Sequence, residues 1–339
     1  MPQTLALDMP FTPRLSPDVD RCRDRHRRWL LGHGLLRSPQ AVAEYMSWDI
    51  ARSMGRSYPL AVGTELDLVT DTIGMFFLFD DQFYAPDDRP GERAPSVVDE
   101  LIAICDRPLF APPELVNPLT RGWSELWGRI CVGMSGAWRA RNKRHWAAHF
   151  RACQAEEANR RRGTVLSVEE YIAFRRDAVG MRPSIDLIER VGHYELPSRI
   201  QELPEILDLR DACTDSTSLA NDLHSVEREE SRGDTHNLVL VIEHERGCGR
   251  QESLEVGRDI VNRRVRDFVR LRESLPALAV GEGLGSQDTL NLLRFAEGMA
   301  DWIRGNYDWG NETARYSQDV PVPAPGEAGY LEDLIGTTC

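Results

Sequence analysis

The chain has 339 residues, of which 41% are hydrophobic and 28% charged, as is typical of a globular protein. Its net charge is −13, from 54 acidic and 41 basic side chains, which argues against nucleic acid as a bulk partner. No apolar run approaches the roughly 18 residues of a membrane-spanning helix, so membrane insertion is not expected. The seven cysteines form no CxxC pair, and the N-terminus has no secretory pattern. A cytoplasmic protein with reduced thiols is therefore expected.

Apolar residues recur at intervals of three and four over long stretches, and strand-like alternation is nearly absent. This spacing is typical of amphipathic helices and predicts an all-α protein of about ten or more helices. Without a break in composition, we expect one domain over residues 21–318, after an irregular arm over 1–20 and before a flexible tail over 319–339. The predicted helices cover about 20–36, 40–54, 63–83, 97–106, 115–137, 142–159, 167–178, 198–230, 235–246, 252–274 and 287–309.

The first candidate site ends the predicted helix over 63–83, in the sequence GMFFLFDDQFY. Phe76 precedes Asp80 by four residues and Phe77 precedes Asp81 by four, so each carboxylate shares a helix face with an aromatic ring. Two carboxylates at the rim of an aromatic pocket repel one another unless cations neutralise them. Hard divalent cations such as Mg²⁺ take oxygen ligands of this kind. The alternative is an acidic helix end that points to solvent.

The second candidate site lies in LANDLHSVEREE, within the predicted helix over 198–230. Asn221, Ser225 and Glu229 follow one another at intervals of four and therefore form one stripe on a helix. An amide oxygen, a hydroxyl and a carboxylate on one stripe can chelate a single hard cation. An ordinary polar helix face is the alternative interpretation, and the spacing alone does not exclude it.

An aromatic stripe precedes the C-terminal Arg-Tyr pair. Its members stand at intervals of seven residues, or two helical turns. The π faces of such a stripe can stabilise a cation that forms beside them. Ordinary core packing is the alternative for each member. The stripe consists of Phe295, Trp302, Trp309 and Tyr316.

Together, the two candidate sites resemble the bacterial class I terpene synthase family, in which an aspartate-rich motif is followed by NDxxSxxxE. The segment YIAFRRDAVGMRP resembles the family's segment with a diphosphate-sensing arginine. Arg228 occupies the place of a basic residue before the last metal ligand, and Arg315 with Tyr316 is similar to the family's RY pair. The resemblance covers residues 8–318. It implies a single-domain class I terpenoid synthase α-bundle with a central active-site cavity.

The resemblance also implies roles for the site residues. In YIAFRRDAVGMRP it favours Arg176 as the diphosphate sensor, with Arg175 as its neighbour and Gly180 as the effector glycine. The implied catalytic residues also include Arg315 and Tyr316. The implied metal ligands are Asp80, Asp81, Asn221, Ser225 and Glu229. The implied substrate-binding residues are Arg176, Arg228, Arg315, Tyr316, Phe76, Phe77, Trp302 and Trp309.

One position departs from the family's pattern. The aspartate-rich motif is usually DDxx(D/E), but Tyr84 occupies the fifth place here. Asp87 and Asp88 follow only after the bend expected at Pro86. The shortened motif suffices if Asp80 does most of the metal bridging.

The resemblance implies an enzyme, a Mg²⁺-dependent terpene synthase that uses three Mg²⁺ ions to ionise a prenyl diphosphate. Most of the family uses farnesyl diphosphate, whose carbocation is cyclised to a sesquiterpene with release of diphosphate. The alternatives are a diterpene synthase that uses geranylgeranyl diphosphate, a prenyltransferase and a non-catalytic helical relative. A prenyltransferase needs a second aspartate-rich motif and a class II cyclase needs DxDD, and the sequence contains neither. A homodimer is left open.

Overall fold

The computed structural model describes residues 6–83, 89–231, 233–316 and 332–336. In these ranges the chain folds into α-helices and contains no β-strand, which confirms the all-α prediction. No helix there is both long enough and apolar enough to cross a membrane. The helices are α1 Val19–His33, α2 Pro39–Ser47, α3 Ile50–Ser57, α4 Gly63–Gln82, α5 Arg89–Ile104, α6 Pro118–Cys131, α7 Gly136–Arg162, α8 Val168–Ala178, α9 Met181–Gly192, α10 Ser198–Gln201, α11 Pro204–Ser231, α12 Leu238–Arg246, α13 Arg250–Gly281 and α14 Ser286–Glu312, followed by a 3₁₀ turn over Ala314–Tyr316.

Two of the differences from the predicted helices have local causes. The predicted helix over 40–54 is two helices because Asp49 adopts a left-handed conformation (φ 53°) and its carboxylate caps α3 at the N–H of Arg52. The helix α9 was not predicted, because Gly180 and Pro183 resemble helix breakers. In the structure Gly180 is the N-cap of α9, and Pro183 lies in the first turn, where its missing N–H leaves no hydrogen bond unmade.

Residues 332–336 pack against the end of α4, which corrects the prediction of a flexible tail for this part of 319–339. The Leu334 N–H donates to Gln82 Oε1 at 3.0 Å, and both Leu334 and Ile335 are buried. The Glu332 carboxylate accepts a hydrogen bond from the Arg37 N–H at 3.0 Å. This segment therefore ties the C-terminal end of α4 to the start of α2. The other residues of the predicted tail lie outside the described part of the chain.

Removing residues 332–339 is expected to lower the melting temperature by about 5 °C, because Leu334 and Ile335 leave an apolar groove on α4 exposed to water. Removing only residues 337–339 is the matched control and should leave the melting temperature unchanged. Thermal unfolding followed by circular dichroism measures both. Equal melting temperatures for the two truncated chains would contradict the docking of this segment.

Candidate active site

A cavity lies at the centre of the bundle, walled by α3, α4, α7, α8, α9, α11 and α14. Along α4 its lining changes from Phe76 to Asp80, and along α11 it changes from Thr217 to Glu229. Because Arg228 on α11 reaches the last turn of α4, both helices bring charged residues to one end of the cavity. This charged end is formed by Asp80, Arg175, Arg228, Glu229 and Arg315.

The two aspartates at the end of α4 have different surroundings. Asp80 lines the cavity, as predicted, and burial followed by the charge of Asp81 raises its pKa. Asp81 is fully buried behind the cavity wall. Its oxygens accept hydrogen bonds from Arg315 at 3.1 and 3.2 Å and from Arg228 at 3.1 Å. The prediction that Asp81 is a metal ligand is therefore revised, since its carboxylate holds two arginines in place. Tyr84, Asp87 and Asp88 lie outside the described residues.

The predicted stripe on α11 has the donors that a hard cation requires. Asn221 and Glu229 line the cavity, and Ser225 lies between them, 1% exposed, with a hydroxyl that has no hydrogen-bond partner among the described residues. Asn221 donates its amide N–H to the Tyr316 hydroxyl at 2.8 Å, which leaves its amide oxygen for a cation. Burial and the nearby Asp222 carboxylate raise the pKa of Glu229 to about 7. A buried hydroxyl without a partner and an acid that is costly to ionise both fit a divalent cation at this stripe.

The structure places Arg175 in the cavity wall and Arg176 outside it. Arg175 donates to Asp222 at 2.9 Å, and within the described ranges its Nε is buried without a hydrogen-bond partner. Arg176 instead donates to both oxygens of Asp215 and to Asp211, all at 2.8 Å. These hydrogen bonds link α8 to α11. The geometry therefore favours Arg175, and not the preferred Arg176, as the candidate for the diphosphate sensor. Successive helix residues point about 100° apart, so only one of the pair can face the cavity.

The two other arginines of the predicted site and the tyrosine of the RY pair lie in the cavity wall. Arg228, Arg315 and Tyr316 all line the cavity at its charged end. The guanidinium of Arg315 lies 4.2 Å from the ring centroid of Trp48 and 4.7 Å from that of Phe77. These two rings hold the guanidinium between them by cation–π contacts. The position of Arg315 is thus determined by aromatic packing as well as by its ion pair with Asp81.

Aromatic side chains form much of the remaining cavity wall. The predicted Phe76, Phe77, Trp302 and Trp309 all line it. The other member of the predicted stripe, Phe295, is buried outside the wall, where the guanidinium of Arg210 lies 5.6 Å from its ring centroid. Sequence reasoning missed the contribution of α7, where Trp146 stacks on Phe76 with 4.1 Å between ring centroids. The sequence signal was present, since Trp146, Phe150 and Cys153 recur at helical spacing and are all buried.

Gly180 lies in the cavity wall, at the break between α8 and α9. Its φ of 70° is in the left-handed region that favours glycine, and a Cβ there would meet the ring of His149 at 3.4 Å. Its carbonyl accepts a hydrogen bond from the Ser184 hydroxyl at 2.8 Å. Burial lowers the pKa of His149 to about 4, so this cavity-lining imidazole is neutral at physiological pH. Gly180 thus occupies a position in the cavity wall where a larger residue would be strained, and its role as effector glycine stays a prediction.

Comparisons with known proteins agree with this geometry. Residues 71–267, which contain both predicted metal-binding motifs, match the family model described as Terpene synthase family 2, C-terminal metal binding. Pentalenene synthase from Streptomyces avermitilis is 34% identical over 339 residues, which cover 99% of this chain and 100% of that protein. A (−)-β-caryophyllene synthase from Saccharothrix espanaensis is 34% identical, over 99% of this chain and 95% of that protein. The crystal structure of a-eudesmol synthase aligns with a TM-score of 0.85 at 32% identity, over 90% and 98% of the respective chains.

Proposed function

The chain belongs to the bacterial class I terpene synthase family, and on that premise we propose that it is a Mg²⁺-dependent sesquiterpene cyclase acting on farnesyl diphosphate. Terpene synthases of this family are lyases that act on prenyl diphosphates. The observation that carries the proposal is the charged end, where acidic ligands and arginines meet over an aromatic cavity. An anionic head group and an apolar chain fit such a cavity in one orientation, with the diphosphate at the charged end.

Mg²⁺ is the divalent cation that the donor set fits best, and three ions are part of the proposal. The oxygens of Asp80, Asn221 and Glu229 face one cavity, and the unpartnered Ser225 hydroxyl lies within the same stripe. All these donors are oxygens, as Mg²⁺ prefers. When bound, the cations supply Lewis-acid stabilisation of the charge that develops on the leaving diphosphate.

The arginines of the charged end supply the positive charge that the acidic chain otherwise lacks. Arg175 has a buried Nε without a partner, which is suited to an anionic oxygen. Arg228 and Arg315 are held by Asp81 at the charged end, where their positive charges face the site proposed for the diphosphate. We propose that these three guanidiniums orient the diphosphate and stabilise its negative charge as the carbon–oxygen bond breaks.

The cavity wall is suited to the carbocation that remains. The rings of Phe76, Phe77 and Trp309 line it and can stabilise a cation without attacking it. An apolar wall also excludes water that would capture the cation early. The name of the Saccharothrix relative specifies cyclisation of (2E,6E)-farnesyl diphosphate, which supports this substrate for the present chain.

Product analysis tests the proposed substrate and reaction. The purified chain is incubated with Mg²⁺ and, separately, with geranyl, farnesyl and geranylgeranyl diphosphate, and the organic extract is read by gas chromatography–mass spectrometry. We expect a cyclic sesquiterpene hydrocarbon or alcohol from farnesyl diphosphate. A cyclic product from geranylgeranyl diphosphate alone would assign a diterpene synthase instead. Longer diphosphates formed only after isopentenyl diphosphate is added would assign a prenyltransferase, and no product from any substrate would reject catalysis.

A further inference from the structure

Three buried side chains to which the proposed reaction gives no role lie together at the cavity. Glu156 comes from α7, whereas Asp234 and His236 come from the connection between α11 and α12. Each offers one ligand atom, and these atoms all lie within 4.8 Å of one another. Glu156 and His236 also line the cavity. None of the three belongs to either of the predicted metal-binding motifs.

Glu156 carries the strongest indication that a ligand binds here. It is 6% exposed, and within the described part of the chain its carboxylate makes no hydrogen bond and no ion pair. Burial, followed by the charge of Asp234, raises its pKa well above the ordinary value. An ionised carboxylate without a hydrogen-bond partner is costly to bury, and the Asp234 carboxylate beside it adds to the cost. Asp234 itself accepts the His236 backbone N–H at 2.9 Å and pairs with Arg160 at 3.9 Å. The charges of Arg175 and Arg160 offset only part of the cost, since the pKa of Glu156 stays raised. A cation between the two acids would remove this cost.

The third side chain decides which class of cation fits. His236 is 2% exposed, and its Nδ1 lies 3.6 Å from Oδ1 of Asp234. The amide nitrogen of Asn159 lies 3.4 Å from Nε2 of His236, and the Thr235 hydroxyl lies 3.4 Å from Nδ1. Metal binding through Nδ1 therefore requires the Asn159 amide to turn over, so that its oxygen accepts the Nε2 proton, and the Thr235 hydroxyl to give way. An imidazole nitrogen with two carboxylates is a mixed nitrogen and oxygen donor set. Such a set suits Zn²⁺ and similar ions, whereas Mg²⁺ prefers oxygen ligands alone.

We infer that these three side chains bind one divalent transition-metal ion of the Zn²⁺ type, in the same cavity as the Mg²⁺ ligands on α4 and α11 but through different residues. The site joins α7 to the connection that leads into α12. The next residue after His236 is Asn237, which donates to Glu229 Oε2 and to the Asp222 carbonyl, both at 2.8 Å. An ion on His236 therefore fixes the segment that orients Glu229 at the charged end.

Zinc binding without substrate tests this inference independently of catalysis. The full chain is dialysed against Zn²⁺ in the presence of excess Mg²⁺, which occupies sites made of oxygen ligands alone. We expect one tightly bound Zn²⁺ per chain. Glu156→Gln and His236→Gln should each weaken binding about tenfold or more, because each removes one of three ligands. Glu157→Gln is the matched control, because this neighbouring glutamate pairs with Arg161 at 2.9 Å and should leave Zn²⁺ binding unchanged.

Two results would overturn the inference. One is unchanged Zn²⁺ affinity in Glu156→Gln, and the other is loss of Zn²⁺ binding in Glu229→Gln, which would place the ion at the α11 stripe. Anomalous scattering at the zinc edge, measured on wild-type crystals grown with Zn²⁺, locates the bound ion without any variant. We expect a peak between Glu156, Asp234 and His236, and a peak elsewhere alone would reject the site. Failure of the product assay with Zn²⁺ still bound would reject only the proposed cyclase activity.

Discussion

Replacing Glu229 by glutamine is expected to lower kcat/KM by about 10³-fold or more, and Asn221→Ala should do the same. Both side chains supply oxygens to the stripe on α11, next to the unpartnered hydroxyl of Ser225. The cation held there stabilises charge that develops only as diphosphate departs, so its loss raises the barrier to the chemical step. Steady-state release of diphosphate from farnesyl diphosphate, measured over a range of Mg²⁺ concentrations, gives kcat/KM for each variant.

The control for this loss is a glutamate two residues away. Glu227 is exposed and forms an ion pair with Arg250 at 3.2 Å, so Glu227→Gln should retain wild-type activity.

Glu229→Gln should not unfold the chain. Because the pKa of Glu229 is raised to about 7 in the folded state, its ionisation weakens the fold as the pH rises from about 4.5 through 7. The variant without Mg²⁺ should therefore melt at pH 8 no lower than the wild type does. Full activity in Glu229→Gln would contradict the metal assignment.

Substituting each of the two adjacent arginines of α8 by lysine, one at a time, is expected to show which arginine contacts the substrate and which one only stabilises the packing of α8. Arg175→Lys should lower kcat/KM by about 10²-fold or more, because lysine cannot reproduce the guanidinium fork that binds Asp222 and a diphosphate oxygen together. Arg176→Lys should keep most of its activity and instead lose about 1 kcal/mol of stability, since it loses part of a bidentate contact with Asp215 on α11.

The same two measurements on both variants decide between the assignments. Initial rates with farnesyl diphosphate report the substrate contact, and thermal unfolding reports the packing of α8 on α11. A large loss of kcat/KM in Arg176→Lys together with a small one in Arg175→Lys would return the sensor role to Arg176. Such a result would mean that α8 rotates when substrate binds.

The parts of the site that lie within one helix could be predicted from the sequence. Asn221, Ser225 and Glu229 follow from intervals of four, and Phe76 and Asp80 follow from the same rule on α4. Residue spacing also predicted that Trp302 and Trp309 share one side of α14, and both line the cavity. For such residues, periodicity alone determines which side chains share a helix face.

The parts that depend on how helices rotate and meet could not be predicted. Arg175 and Arg176 are adjacent and chemically identical, so only the packing of α8 against α11 decides which one enters the cavity. The role of Asp81 depends on Arg315, which lies 234 residues away in the chain. The cluster of Glu156, Asp234 and His236 joins two distant segments, and no spacing within one helix could indicate it.

Metal-dependent departure of diphosphate at the charged end is the central step of the proposed function. Inorganic diphosphate released from farnesyl diphosphate is followed for the wild type with Mg²⁺, with excess chelator, and for Asn221→Ala with Mg²⁺. We expect release from the wild type with Mg²⁺, in step with formation of a cyclic product, and almost none under the other two conditions. Release that persists in the chelator, or no release from the wild type with Mg²⁺, would contradict metal-dependent ionisation at this site.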